Sequence, residues 1–276
     1  MNSAINLVVF IFLTVLCGCS SSSSESQDRK NDLGTGSDGG ADTDVDSDTD
    51  GDADAGGDSD SDGGRPSEYK WRKVFDTPQG LAAIWGSANN DVYVVGEAGV
   101  IVHYDGYQWT EVEHPEVSDL NDIWANSASD IYAVGGYSQN NIEPHYSVGE
   151  ILHYDGSSWS KIECSETGEF IAAWGSGSTD IFFLSNEATL TPGAATNRIV
   201  HYDGYECSIV FTISYDFLYD IWGTSSDNIY AIGSAIFHYN GESWSRVDTG
   251  LEFDSIMQMW GLSFEQIYLS GCQNNC

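Results

Sequence analysis

The sequence predicts an all-β protein of the β-propeller class, and three observations predict it. A short phrase recurs five times: Ile84-Trp85-Gly86-Ser87, Ile123-Trp124-Ala125, Ala173-Trp174-Gly175-Ser176, Ile221-Trp222-Gly223-Thr224 and Met259-Trp260-Gly261. Its tryptophans lie 39, 50, 48 and 38 residues apart, a period at which each repeat forms one small sheet. Each phrase leads into a run of β-branched and aromatic residues beginning at Asp91, Asp130, Asp180, Asn228 or Gln266. Four copies continue into His-Tyr-Asp/Asn-Gly, from His103, His153, His201 and His238.

Each unit reads as four antiparallel strands. Adjacent apolar residues in the first strand, such as Ile84 and Trp85, require burial of both faces, as in a blade held between two neighbours. The Asp before the second strand (Asp91, Asp130, Asp180) is expected to bond the backbone of the preceding turn. Asp-Gly or Asn-Gly between strands three and four (Asp105-Gly106, Asp155-Gly156, Asp203-Gly204, Asn240-Gly241) predicts type I′ hairpins. Trp109, Trp159, Cys207 and Trp244 mark the fourth strand. The recurring His and Asp do not suggest a metal, because equivalent positions around a ring are too far apart to share one ion. Tyr69 to Val74 match a fourth strand, and Met259 to Leu269 a first and second. The expected ring therefore has five blades, the last shared between the N- and C-terminal strands and left incomplete. Its third strand would have to come from Gly271 to Cys276, unless the chain is a shortened version of a longer propeller.

Composition divides the chain into three parts. Residues 1–18 contain an apolar stretch, residues 4–16, too short for a comfortable span, and read as an export signal. Residues 19–66 hold almost no large apolar side chain. Residues 20–66 carry 14 acidic and 3 basic side chains, so they read as a disordered, solvated acidic tether. Asp46, Asp48, Asp50 and Gly51 open like an EF-hand loop, but the twelfth position is Gly57, not Glu, so no calcium site is expected. Residues 67–276 form the propeller. The net charge of −34 repels phosphate backbones and excludes nucleic acid as a partner.

Leu16-Cys17-Gly18-Cys19 resembles the bacterial lipobox, although residues 1–6 lack the usual Lys or Arg. By that resemblance the mature chain begins at a lipidated Cys19, and Ser20 after it resembles lipoproteins sent to the outer membrane. The repeat phrase resembles that of secreted bacterial propeller lipoproteins, which brings no catalytic residues with it. The Asp-Gly-x-x-Trp turn is similar to the Asp-box of sialidase-type propellers but lacks the intervening residue, so sialidase activity is not carried over. Export permits disulfides among Cys164, Cys207, Cys272 and Cys276, with Cys164–Cys207 and Cys272–Cys276 the preferred pairing.

Copies two and three carry extra residues between strands two and three, Tyr137 to Gly149 and Ser185 to Asn197. Those loops share a face with the blade connections, and variable loops on a rigid scaffold are where binding resides. The candidate binding face is Tyr137, Asn140, Asn141, Glu143, His145 and Tyr146 with Tyr215 and Asp216. Innermost-strand positions Ala83, Asp122, Ala172, Asp220 and Gln258 are expected along the channel. The expected function is a non-catalytic, monomeric, lipid-anchored propeller at the bacterial cell envelope. It would present this face to a protein or glycan, with no cofactor and no metal. The alternatives are an envelope assembly or structural factor, and an enzyme using Asp122 and Asp220 as the carboxyl pair of five-bladed glycoside hydrolases.

Overall fold

A computed structural model describes residues 73–139, 146–165, 168–187, 196–214, 216–250, 253–263 and 266–272. From Phe75 onward the described residues fall in one compact unit; of residues 18–74, which fall in another, only Lys73 and Val74 are described. Apart from a single 3-10 turn at Glu97–Gly99, the described elements are strands.

The propeller's blades are successive antiparallel sheets, numbered from the channel outward. β1 (Leu81–Ala88), β2 (Asp91–Gly96), β3 (Ile101–Tyr104) and β4 (Trp109–Glu111) make the first. β5 (Asp119–Ser127), β6 (Asp130–Gln139), β7 (Tyr146–Tyr154) and β8 (Trp159–Ile162) make the second. β9 (Glu169–Gly177), β10 (Asp180–Glu187), β11 (Thr196–Tyr202) and β12 (Cys207–Ser214) make the third. β13 (Leu218–Ser225), β14 (Asn228–Gly233), β15 (Ile236–Tyr239) and β16 (Trp244–Arg246) make the fourth. The fifth has two described strands, β17 (Ser255–Ser263) and β18 (Gln266–Cys272).

The repeated residues line up across each blade. Tyr93 pairs with both Trp85 and His103, and Tyr132, Phe182 and Tyr230 hold the same place in blades two to four. The histidine ring lies over its aromatic partner, with centroids 4.1 Å apart for Tyr93–His103 and 4.4 Å for both Tyr132–His153 and Tyr230–His238. The expectation for the Asp before strand two needs correction. Asp91, Asp130 and Asp180 each place a carboxylate oxygen in hydrogen-bond contact with Nε2 of His103, His153 and His201, at 2.7, 2.8 and 2.7 Å. Their second oxygen accepts from Ser87, Asn126 or Ser176. A carboxylate reaches a side chain on strand three, not only the adjacent turn, because strands two and three are in register at that point. Asn228 does the same for His238 at 2.6 Å.

The turn between strands three and four also differs from expectation. Only the glycine has positive φ (+92° at Gly106, +91° at Gly156), whereas a type I′ turn needs it at both central residues. The loop is therefore Gly-x. The Asp supplies the rest, as Asp105 Oδ1 accepts the N–H groups of Tyr107 and Gln108 at 2.8 and 2.9 Å.

The core lies between blades. Strand-two residues are buried consecutively, as at Ile131 to Val134 and Ile181 to Ser185, which requires a neighbour on each side. Four apolar clusters fill the four successive junctions; among the described residues none joins blade five to blade one. Three of the four junctions also carry a knob and a slot. A Cβ on Gly175 would meet the Trp124 ring at 2.7 Å, one on Gly223 the Trp174 ring at 2.8 Å, and one on Gly261 the Trp222 ring at 2.7 Å. Each tryptophan thus lies over the residue that follows the next blade's tryptophan, where a side chain would collide. Trp85 packs in the same cluster as Ala125, the one copy without glycine.

Blade five ends the series. Trp260 is 57% exposed, and Ile84 in blade one is 69% exposed although its counterparts Ile123 and Ile221 are nearly buried. Gly271 and Cys272, considered as a short third strand, belong to β18, where Cys272 pairs with Ser255. Lys73 and Val74 lie in no strand, and Tyr69 to Arg72 lie outside the described residues. The described structure is thus a five-bladed arc with a seam.

Because Trp174 is buried and Trp260 is not, the two should respond differently to truncation. Trp174→Ala is expected to cost about 3–5 kcal/mol in urea unfolding, and Trp260→Ala to stay within about 0.5 kcal/mol. Equal losses would show that a fifth junction covers Trp260.

Candidate binding face and central channel

All five positions expected along the channel line one cavity. Ala83, Asp122, Ala172, Asp220 and Gln258 bound a space of about 700 Å³ that continues into the seam at Ile84 and Trp260. Residues two apart share a strand face, so Asp122 and Trp124 both address blade three, at Ala173 and Gly175.

Asp122 and Asp220 are not free groups awaiting substrate. Asp122 Oδ1 accepts the N–H of Ile123 and Oδ2 that of Ala173 in the next blade, both at 2.8 Å. Asp220 repeats this with Ile221 and, across the junction, Met259, both at 2.8 Å. Each carboxyl thus clasps the innermost strand of its own blade to that of the next. Burial pushes Asp122 up to about 6, against the hydrogen bonds from Ala173 and Ile123. Burial likewise pushes Asp220 up to about 7; the Met259 N–H opposes this and the charge of Asp122 adds to it.

On one rim, the described residues of the inserts of blades two and three are strand. Tyr137 is in register with Val148 and Gln139 with Tyr146, while Glu187 pairs with Thr196. The chain therefore builds two long hairpins there, in place of loops starting at Tyr137 and Ser185. Ser138 and Ser147 bond across the first at 2.8 Å, and Arg198 meets Glu187 across the second at 2.5 Å. Tyr137 is 40% exposed. Asp216 is half-buried and structural in its bonds. Its carbonyl accepts from Asn197 Nδ2 at 2.5 Å, and its carboxylate accepts from Ser234 at 3.3 Å and Arg246 at 3.5 Å. Tyr146 starts β7. Asn140, Asn141, Glu143, His145, Tyr215, Cys19 and Cys276 lie outside the described residues.

Cys164, just past β8, is bonded to Cys207 at the start of β12, with Cα atoms 5.6 Å apart, and so joins the outer edges of blades two and three. Cys272 sits in β18.

Two residues that support the rim were not singled out in the sequence. Glu150 accepts the Ser118 N–H of the blade connection at 2.5 Å and pairs with Lys161 at 2.9 Å. Asn197, fully buried, accepts the Leu218 N–H at 3.3 Å while donating to Asp216. Their only signal is a polar residue beside an apolar strand run, which is also how a surface position looks. Among the described residues, no group of three or more His, Cys, Asp or Glu is placed to hold a metal ion.

No family model matches the chain, and no curated protein matches it. Among solved structures it is similar to YCF48 from Cyanidioschyzon merolae, at 11% identity over 72% of this chain and 70% of that one, with a TM-score of 0.49. It is similar to a structure of YCF48 bound to D1 peptide, at 14% identity over 72% and 77%, TM-score 0.37. The WD40 β-propeller domain of Doa1 is similar at 12% identity over 71% and 90%, TM-score 0.30. At these values the likenesses do not bear on what this chain binds.

The buried carboxyls make stability pH-dependent. A raised folded-state value means that their contribution is present below about pH 4, near the ordinary aspartate value, and is lost as pH rises through 6 to 7. Between about pH 4 and pH 8, Asp122→Asn/Asp220→Asn is expected to lose less unfolding free energy than the unaltered chain, on the order of 3 kcal/mol per carboxyl. Parallel pH profiles would show that neither group titrates in this range.

Proposed function

We propose that the chain is a non-catalytic scaffold that holds a protein partner against the hairpin rim of its propeller. We propose further that a lipidated Cys19 anchors it to the bacterial outer membrane, with the acidic segment 20–66 between anchor and propeller. The observation that carries the scaffold is the pair of braced hairpins β6–β7 and β10–β11. They lengthen strand two from the six residues of β2 and β14 to ten in β6 and eight in β10. Extra backbone, ordered by cross-strand bonds and supported by Glu150 and Asn197, is a preorganised projection. Such a projection binds at low entropic cost, and it does nothing for the core.

The chemistry in the channel favours the same conclusion. A glycoside-hydrolase pair needs one carboxyl to give a proton and another to act on the sugar. Here all four oxygens accept main-chain N–H groups, two of them across blade junctions. The anchor rests on the sequence: residues 4–16, the Leu16 to Cys19 motif and the acidic stretch behind it.

Two measurements test the parts separately. A photo-crosslinking residue at Tyr137 is expected to give a discrete protein adduct in intact cells. The same residue at Tyr107, 94% exposed on the opposite rim, is expected to give none. Identical adducts from both positions, or none from Tyr137, would contradict the rim as the binding face. Labelled palmitate is expected to enter the chain and to be lost, along with membrane association, in Cys19→Ser; label retained in that variant would contradict the anchor.

A further inference from the structure

The outer strand of blade three is unlike its counterparts. β4, β8 and β16 have 3, 4 and 3 residues, and each carries a charge: Glu111, Lys161 or Arg246. β12 has 8 residues, Cys207 to Ser214, with no charged side chain, proline or glycine. Its sheet runs β12-β11-β10-β9, so β12 is the edge. Ile209 and Val210 are 40% and 43% exposed. Edge strands are ordinarily kept short or charged because a long, apolar, uncharged edge templates another strand. The extension pairs with the lengthened β11 and packs Phe211 and Ile213 on the core, while Ser208, Ile209, Val210, Thr212 and Ser214 stay exposed along the edge.

Two further features bear on what would pair there. The disulfide from Cys207 to Cys164 fixes the start of β12 to the neighbouring blade, so the edge is held ready before any ligand arrives. Beside it, between blades three and four, a cavity of about 510 Å³ is lined by Val210, Phe211 and Trp244, with Glu242 and Asp180 the carboxylates in its wall and no Lys or Arg. Residues 75–276 carry 28 acidic and 3 basic side chains, a net charge of −25, so the edge lies in a negative field that attracts cationic segments and repels a second copy.

We propose that β12 is a strand-addition site for an extended, basic polypeptide segment. Main-chain pairing on either side of the bulge at Val210, along 207–209 and 211–214, would supply affinity. Alternate side chains would enter the cavity, apolar ones against Val210 and Phe211 and a Lys or Arg toward Glu242. This rests on the scaffold function only in taking a polypeptide as ligand; it uses the outer edge of β12, whose last residues pair with β11 of the second hairpin.

The test uses the full chain and a fluorescent peptide, Lys-Val-Lys-Val-Thr-Val-Lys-Val, against its counterpart with Glu for every Lys. Anisotropy is expected to show binding of the basic peptide alone. Val210→Lys and Glu242→Gln are each expected to weaken it by about tenfold or more, with unfolding midpoints unchanged. Hydrogen exchange on the unaltered chain, which needs no variant to fold, is expected to slow at residues 207–214 when the peptide binds. Equal binding of both peptides, protection elsewhere, or a dimer through β12 that the peptide fails to displace would overturn the proposal. Loss of peptide binding with the Tyr137 adduct intact removes this site and leaves the scaffold; loss of the adduct with peptide binding intact does the reverse.

Discussion

One contact repeats through this molecule and sets its form: the tryptophans of blades two, three and four each lie over the glycine after the next blade's tryptophan. Trp124 over Gly175, Trp174 over Gly223 and Trp222 over Gly261 leave no room for a Cβ. A large indole supplies buried area and the missing side chain supplies the approach, so neither is useful alone. The same residue spacing that places the knob on one blade places the slot on its neighbour. That is why one short phrase, copied, can build a propeller, and why the two ends of the series are left unsatisfied. Blade one has a slot at Gly86 and an exposed Ile84, while blade five has an exposed Trp260.

Polar groups inside the arc extend this junction. Asp122 and Asp220 tie innermost strands across blades, and the Asp–His and Asn–His pairs tie strands two and three within them. Buried polar groups must be partnered, and here the partners are the repeat's own residues. Side chains that look chemically capable in isolation are thereby engaged in the framework, and the parts of the chain that depart from the repeat stand out. Those are the hairpins on one rim and the long outer strand β12.

What the sequence revealed follows from this division. Repetition exposed the blades, the channel positions and the strands, because a pattern seen five times separates signal from accident. Turn chemistry was less legible: Asp-Gly signals a tight turn, but which residue takes positive φ depends on how the strands are registered, and here only Gly106 and its equivalents do. The sequence places Asp91 at its local turn because His103, twelve residues on, becomes its neighbour only when strands two and three pair. Tyr137 reads as loop in the sequence, since an insert of mixed polarity does not distinguish a loop from a two-sided, partly exposed hairpin. The bond from Asp220 to Met259 spans a junction and has no local signature at all.

The most direct test of the junction as the organising contact is native-state hydrogen exchange resolved by strand. If knobs and slots hold the blades, protection should peak in β9 to β11, which have a seated neighbour on both sides, and fall toward β1 and β18 at the seam. Uniform protection around the five blades would contradict it, because that pattern requires a closed ring in which no junction differs from the rest.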